Sequence, residues 1–434
     1  METAVKPQKC GTTLRVVSCD AERRTTMLPE SQHIRPLRLS GVAMHILCLN
    51  SGSSSLKFAV YRCDQGDEVE VARGAVEGIS QEHGRLWIQQ PKDDQRQESQ
   101  RSFVSHQAAF EAAMDSLSTL KLPDFSVVGH RVVHGGDQFD GPTRIDEQVL
   151  GTLRRLVRFA PLHLPPQIAM IELAQQRFAE LPQVACFDTA FFRHLPEKAQ
   201  RYPLPRFLWD AGVRRYGFHG LSYESILATH SEASHGRAII AHLGNGCSMT
   251  ALLDGKPVET TMGFTPAGGL MMSTRSGDLD PGVLIYLMDH LGYGPRDIER
   301  LVNQESGLKG VSGLSGDMQT LLSVRGENPQ AALAIDMFCD HVRQQIGAFA
   351  AVLGGLDRLI FTAGIGERAA SIRGDICHGL DHLGIVLDES ANAANAREIS
   401  HSNSRCRADV IATNEERMIA RHSAAFFATG MSHP

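Results

Sequence analysis

The sequence predicts a duplicated α/β fold in which two phosphate-binding loops face one cleft, and three segments predict it. In His45–Phe58, HILCLNSGSSSLKF, a short apolar run breaks into a hydroxyl-rich turn and resumes as LKFAVY, the pattern of strand, turn and strand. Arg237–Thr261, RAIIAHLGNGCSMTALLDGKPVETT, repeats that build far along the chain. Arg358–Glu367, RLIFTAGIGE, offers a third strand that ends in a glycine turn.

Residues 1–43 carry seven Lys or Arg against four acids, no helical or strand periodicity and no signal-peptide core, and read as a disordered extension. The first turn suits phosphate. Gly52 permits φ > 0, Ser51, Ser53, Ser54 and Ser55 supply hydroxyls, and Lys57 supplies charge. No GxxxxGK[ST] occurs, and the turn leads into a strand, so it is not a Walker A loop. Alone, the segment also fits a solvated hairpin tip. His106–Leu120 and Pro166–Leu181 have helical apolar spacing. Asn245 and Gly246 predict a type I′ turn, and Asp254 and Gly255 a second turn. Gly307–Gly316 reads as a Gly/Ser loop near the cleft. Asn328–Leu353 is the clearest helix, with Asn328 as N-cap, Pro329 in first position, and Leu333, Met337, Phe338, Val342, Ile346, Phe349 and Leu353 on one core stripe stopped by Gly354 and Gly355.

At 434 residues and 42% hydrophobic content the chain suffices for about two domains with sizeable cores. A net charge of −6 gives no reason to expect nucleic acid or anionic membrane as partner. Nine scattered cysteines without a CxxC pair point to reduced thiols in a cytoplasm and away from a disulfide or zinc framework. No apolar run has the length of a membrane span, about 18 residues.

Nine segments carry a family resemblance: NSGSSSLK (Asn50–Lys57), GHRVVHGG (Gly129–Gly136), APLHLPP (Ala160–Pro166), CFDTAFF (Cys186–Phe192), RRYGFHG (Arg214–Gly220), HLGNG (His242–Gly246), MGFTPAGGLMMSTRSGDLDPG (Met262–Gly282), FTAGIGE (Phe361–Glu367) and TNEE (Thr413–Glu416). In order and spacing, over residues 44 to 425, the chain resembles the acetate kinases. The resemblance implies two RNase H-like domains of the acetate and sugar kinase/Hsp70/actin type, residues 44–195 plus 417–434 and residues 196–416, around a nucleotide cleft. It also implies reversible, Mg²⁺-dependent, in-line transfer of the ATP γ-phosphoryl group to acetate, giving acetyl phosphate and ADP, by a homodimer. Mn²⁺ is an alternative metal, and a propionate or other short-chain carboxylate kinase the alternative function. Chains of this family begin near Met44, which makes a start codon assigned too far upstream the competing account of residues 1–43.

By the same resemblance Arg131 faces the carboxylate, Arg275 the transferred phosphoryl group, Asp188 is the essential acid, His219 donates to the transition-state oxygens and His163 helps place the phosphate. Asn50 and Glu415 approach Mg²⁺ largely through waters. Val133, Leu162, Phe218 and Pro266 wall a small acyl pocket. The nucleotide meets Ser53, Ser55 and Lys57; His242, Leu243, Gly244, Asn245 and Gly246; Asp317, Met318 and Gln319; and Gly364, Ile365, Gly366, Glu367 and Arg368.

The chemistry agrees with these residue types. A carboxylic acid titrates near ~4 to 5, so acetate is already ionised and needs no general base. Bringing it to a γ-phosphoryl group sets anion against anion, and planar guanidinium forks are suited to neutralising both. Two positions depart from the family pattern: Gln319 stands where Arg is usual, and Arg368 where Asn is usual. Both lie by resemblance near the adenosine, which leaves ATP favoured with GTP or another donor as alternatives. A distant rival is a dinucleotide-binding protein, since Gly364–Ala369 fits G-x-G-x-x-A with Asp388 downstream, but it leaves the Ser loop and arginine motifs unused. An actin-like ATPase without a small acceptor is the second rival.

Overall fold

Two hydrogen-bonded sheets organise the computed structural model, which describes residues 43–64, 66–91 and 96–428. The expected extension lies, apart from Ala43, outside the described residues. The first sheet contains β1 (Met44–Ser51), β2 (Ser55–Asp64), β3 (Asp67–Glu77), β4 (Arg85–Gln89), β5 (Gln97–Gln100), β6 (Val127–Val132), β7 (Thr143–Arg144) and β8 (Gln183–Phe187), in the order β5-β4-β3-β2-β1-β6-β8-β7. The second contains β9 (Arg237–Leu243), β10 (Cys247–Leu253), β11 (Lys256–Thr260), β12 (Arg358–Thr362) and β13 (Arg407–Val410), in the order β11-β10-β9-β12-β13.

The duplication is visible in the pairing. In β3-β2-β1-β6-β8 the β1 strand is antiparallel to β2 and parallel to β6, and in β11-β10-β9-β12-β13 the β9 strand is antiparallel to β10 and parallel to β12. Each central strand is buried on both faces, because helices cover both. Leu47 and Leu49 face Phe110 and Met114 of helix His106–Ser118 and Met170 of helix Leu164–Arg177, while Ile46 and Cys48 face Met418 and Ile419 of helix Glu415–Ala428. Ile239 and Ala241 share a core with Phe338 and Val342 of helix Pro329–Leu353; Ala238 and Ile240 share one with Tyr223 and Ile226 of helix Gly220–Thr229. Period-two alternation sends successive residues to opposite layers. Among the described residues no helix is long and apolar enough to cross a membrane.

Local signals with their own hydrogen bonds hold. Asn328 caps Pro329–Leu353 by accepting from the N–H groups of Gln330 and Ala331, and Gly354 ends it at φ 69°. Asp254 and Gly255, both with positive φ, form the two-residue turn between Leu253 and Lys256.

Four expectations need correction. Leu243 pairs with Cys247, leaving a three-residue turn of Gly244, Asn245 and Gly246, and neither Asn245 nor Gly246 has positive φ, so this is no type I′ turn. The glycine segment after β12 is the helix Ala363–Arg368, not a free turn. Gly307–Ser312 is likewise helical, packed on Pro329–Leu353. Leu333 is 47% exposed, because the buried face of its helix centres on Ala331, Ala334, Ile335 and Phe338.

Candidate active site

Parallel pairing brings the carboxyl ends of β1, β6 and β8 to one edge, since Leu49 lies opposite His130 and Arg131 opposite Cys186. Asn50, Arg131 and Asp188 therefore converge from distant parts of the chain. The Arg131 guanidinium donates to Asp188 through Nε, at 3.1 Å to both oxygens, and through Nη2, at 2.6 Å to Oδ2. Its Nη1 donates to Asn50 Oδ1 at 3.1 Å, and Glu415 Oε2 stands 3.7 Å from Nε. Asn50 Nδ2 in turn donates to Glu415 Oε2 at 2.9 Å and to Glu416 Oε1 at 2.8 Å.

The second half supplies a different kind of cation. Arg275 donates to the Pro266 carbonyl at 3.1 Å and to His163 Nε2 at 2.8 Å, and no carboxylate pairs with it among the described residues. His219 sits at φ 60°, a left-handed conformation, at the start of helix Gly220–Thr229. Gly220 makes this possible: its N–H donates to the Asp188 carbonyl at 3.1 Å, and a Cβ there would come within 2.1 Å of that oxygen. The rings of His219 and His242 stack at 4.1 Å. At Gly246, an added Cβ would lie 3.3 Å from His219 Nε2 and 3.4 Å from Arg275 Nη1, so both donors approach the HLGNG turn.

Burial and charge set the protonation states. Burial pushes Asp188 up, to about 6, against the pull of Arg131. Glu415 is held down at about 2, because Arg131 and Lys57 together outweigh the effect of its burial. Arg131 is raised: burial opposes its charge, but Asp188 and Glu415 outweigh it. Burial lowers Arg275 to about 10. Burial, aided by Arg275, holds His163 neutral at about 3; burial and His242 hold His219 well below the usual imidazole range; and burial holds His242 at about 4. One pH consequence follows from the sign. As pH falls through about 6, Asp188 gains a proton and Arg131 loses its ionised partner, so kcat/KM is expected to fall about tenfold per pH unit below that point. A pH–rate profile checks this, and a profile still flat one unit lower would refute it.

The other predicted residues divide by exposure. Val133 and Phe218 lie in one buried apolar cluster, and Pro266 meets Arg275 through its carbonyl; Leu162 is half-buried beside His163. Lys57 pairs with Asn50 across the hairpin with its side chain exposed, and its charge is favoured chiefly by Glu416. Ser53 is exposed and Ser55 half-buried at the hairpin tip, where the Gly52 N–H donates to the Ser55 carbonyl. Asp317 caps helix Met318–Val324, and Gln319 is exposed on its first turn, as Arg368 is at the end of Ala363–Arg368. The side chains of Met318 and Leu243 belong to the core, leaving only their backbones for a ligand. Gly364 is exposed, Ile365 half-buried and Gly366 buried in that same short helix, while Glu367 accepts from the Ala363 N–H at 2.9 Å and the Thr413 N–H at 3.2 Å. The sequence reading passed over Glu416, next to Glu415 in TNEE and bonded to Asn50, and over Ser248 and Tyr223 beside His219. Only the first had a visible signal, its adjacency.

The duplicated fold and a site with one arginine paired to carboxylates and one that has no carboxylate partner among the described residues define a phosphotransferase. The acetokinase family matches residues 45–421, and the chain belongs to it. It is 43% identical to an acetate kinase of Rhodopseudomonas palustris over 388 residues, 87% of this chain and 97% of that one. Among solved structures, a propionate kinase from Francisella tularensis superposes with a TM-score of 0.81 at 36% identity, covering 88% of this chain and 99% of that one. A Porphyromonas gingivalis acetate kinase gives 0.76 at 35% identity, with coverages of 89% and 100%.

Proposed function

We propose that this enzyme transfers the γ-phosphoryl group of ATP to acetate, with propionate as the alternative acceptor. The observation that carries the reading is the pair of guanidiniums: Arg131, balanced and aimed by Asp188, and Arg275, whose neighbours Pro266, Met272 and His163 are uncharged at neutral pH. An anionic acceptor and a phosphoryl group need that positive charge, and direct transfer needs no base. Arg131 binds the carboxylate; Asp188 holds the fork of Arg131 in plane and takes no proton from the substrate. Arg275 neutralises the transferred group, His219 donates a hydrogen bond to it, and His163 orients Arg275 by accepting its Nη2–H. Val133, Leu162, Phe218 and Pro266 enclose the methyl group.

Mg²⁺ fits the residues present. Glu415, Glu416 and Asn50 offer hard oxygen donors, and the buried hydroxyls of Ser51 and Thr413, in the same two segments, have no hydrogen-bond partner among the described residues. A hydrated Mg²⁺ held there would neutralise phosphate charge. We assign residues 44–195 and 196–416 to two lobes; the packing of helix Glu415–Ala428 on β1, β2 and β6 supports adding that helix to the first. Among the described residues, seven buried cysteines without a disulfide support a reducing cytoplasm.

The test is acyl phosphate trapped as hydroxamate, with acetate, propionate and butyrate against ATP, GTP and pyrophosphate. Acetate with ATP is expected to be best, with each added methylene shifting preference by about 1 to 3 kcal/mol. Activity with another donor alone would trace the nucleotide assignment to Gln319 and Arg368, and absence of product with every pair would sink the reading.

Helix Pro281–Leu291, whose Val283, Ile285, Tyr286, Met288 and Leu291 are 42–55% exposed, supports a homodimer. An apolar helix with exposed side chains all round its circumference and none buried marks an interaction surface. Ile285→Asp with Tyr286→Glu is expected to give a monomer in analytical ultracentrifugation; an unchanged sedimentation coefficient would place the interface elsewhere.

A further inference from the structure

We infer that Tyr223 and Ser248 are positioning residues that fix His219 as the Nε2–H tautomer, so that a single donor points at the transferred phosphoryl group. The inference rests on the reading of His219 as such a donor.

Tyr223 and Ser248 are both fully buried, on helix Gly220–Thr229 and on β10. The Tyr223 hydroxyl hydrogen needs an acceptor, and among the described residues its hydrogen-bond partner is Ser248 Oγ. With its oxygen accepting from Tyr223, Ser248 directs its own hydrogen to the other group in reach, His219 Nδ1 at 2.8 Å. A ring nitrogen that accepts a hydrogen bond carries no proton, so in the neutral imidazole the proton sits on Nε2. That is the nitrogen facing Gly246 beside Arg275 Nη1. The opposite arrangement would leave one buried hydroxyl hydrogen, that of Ser248 or of Tyr223, without an acceptor among the described residues and turn a bare ring nitrogen toward the anion. The His242 ring, stacked on His219, meets Ser222 Oγ through its own Nδ1 at 2.8 Å, so both imidazoles lean on hydroxyls from the helix and strand behind the site.

The experiment is ¹⁵N NMR of the histidine rings in the full-length enzyme, with His219 assigned from a His219→Gln variant, alongside steady-state kinetics. Wild type is expected to show Nε2–H for His219. Ser248→Ala is expected to show a tautomer mixture and a roughly tenfold lower kcat with KM unchanged, the loss expected for one hydrogen bond. Tyr223→Phe, which frees the serine hydroxyl to turn either way, is expected to give a mixture with a smaller kcat loss. A wild-type Nδ1–H signal, or an unaltered tautomer in both variants, would overturn the inference even if thermal stability fell. If the tautomer shifts as expected while kcat stays at the wild-type value, the relay stands and the role of His219 in transfer falls instead.

Discussion

Arg131→Gln is expected to lose both activity and stability. In transfer the variant lacks the charge proposed to meet the acceptor carboxylate, and removal of one such preorganised donor lowers kcat by about 10² to 10³. In the fold it leaves Asp188, fully buried, without its bidentate partner, and Glu415 without a neighbour at 3.7 Å. Breaking a buried pair on one side costs about 3 to 5 kcal/mol, mostly the stranded carboxylate. Arg131→Lys is expected to recover part of the stability and little of the activity, since an ammonium cannot reproduce three donations to one carboxylate. Combining Arg131→Gln with Asp188→Asn removes the stranded charge, so stability should return while activity does not. Denaturant unfolding with the hydroxamate assay checks all three. A single variant that unfolds at the wild-type midpoint would mean that Asp188 is compensated by something other than Arg131.

Arg275→Ala is expected to separate the two quantities. Arg275 is a buried cation whose hydrogen bonds reach a carbonyl, a thioether and an imidazole, and burial lowers its pKa to about 10. Its charge is disfavoured in the fold at every pH below that value, so its removal should leave stability unchanged or raise it. Transfer should fall by about 10³ to 10⁵, the range for an arginine that stabilises a transferring phosphoryl group. ATP binding, followed by calorimetry, should persist. Unaltered ATP turnover in this variant would favour an ATPase without a small acceptor.

Much of the fold was legible because short-range signals carried it. The capped helix Pro329–Leu353 and the Asp254–Gly255 turn each depend on residues within a few positions, so their chemistry acts before any tertiary contact forms. Where a local signal competed with packing, packing won. Asn245–Gly246 has the dipeptide for a type I′ turn, yet the Leu243–Cys247 register adds a third residue and holds the turn beneath His219 and Arg275. Leu333 fits a helical stripe but faces outward, because small alanines at 331 and 334 bring the neighbouring face against the core. The candidate residues were recognisable as motifs, but their partnerships were not: Arg131 and Asp188 lie 57 positions apart and Asn50 and Glu415 lie 365 apart.

The duplicated strand pattern, the helix caps and the residue types of a phosphoryl-transfer site are encoded in spacing over a few residues, and so could be read without a structure. Tertiary structure alone decided which charges are compensated and which tautomer His219 is given. Those depend on parallel strands delivering Asn50, Arg131 and Asp188 to one edge, and on how deeply each group is withdrawn from water.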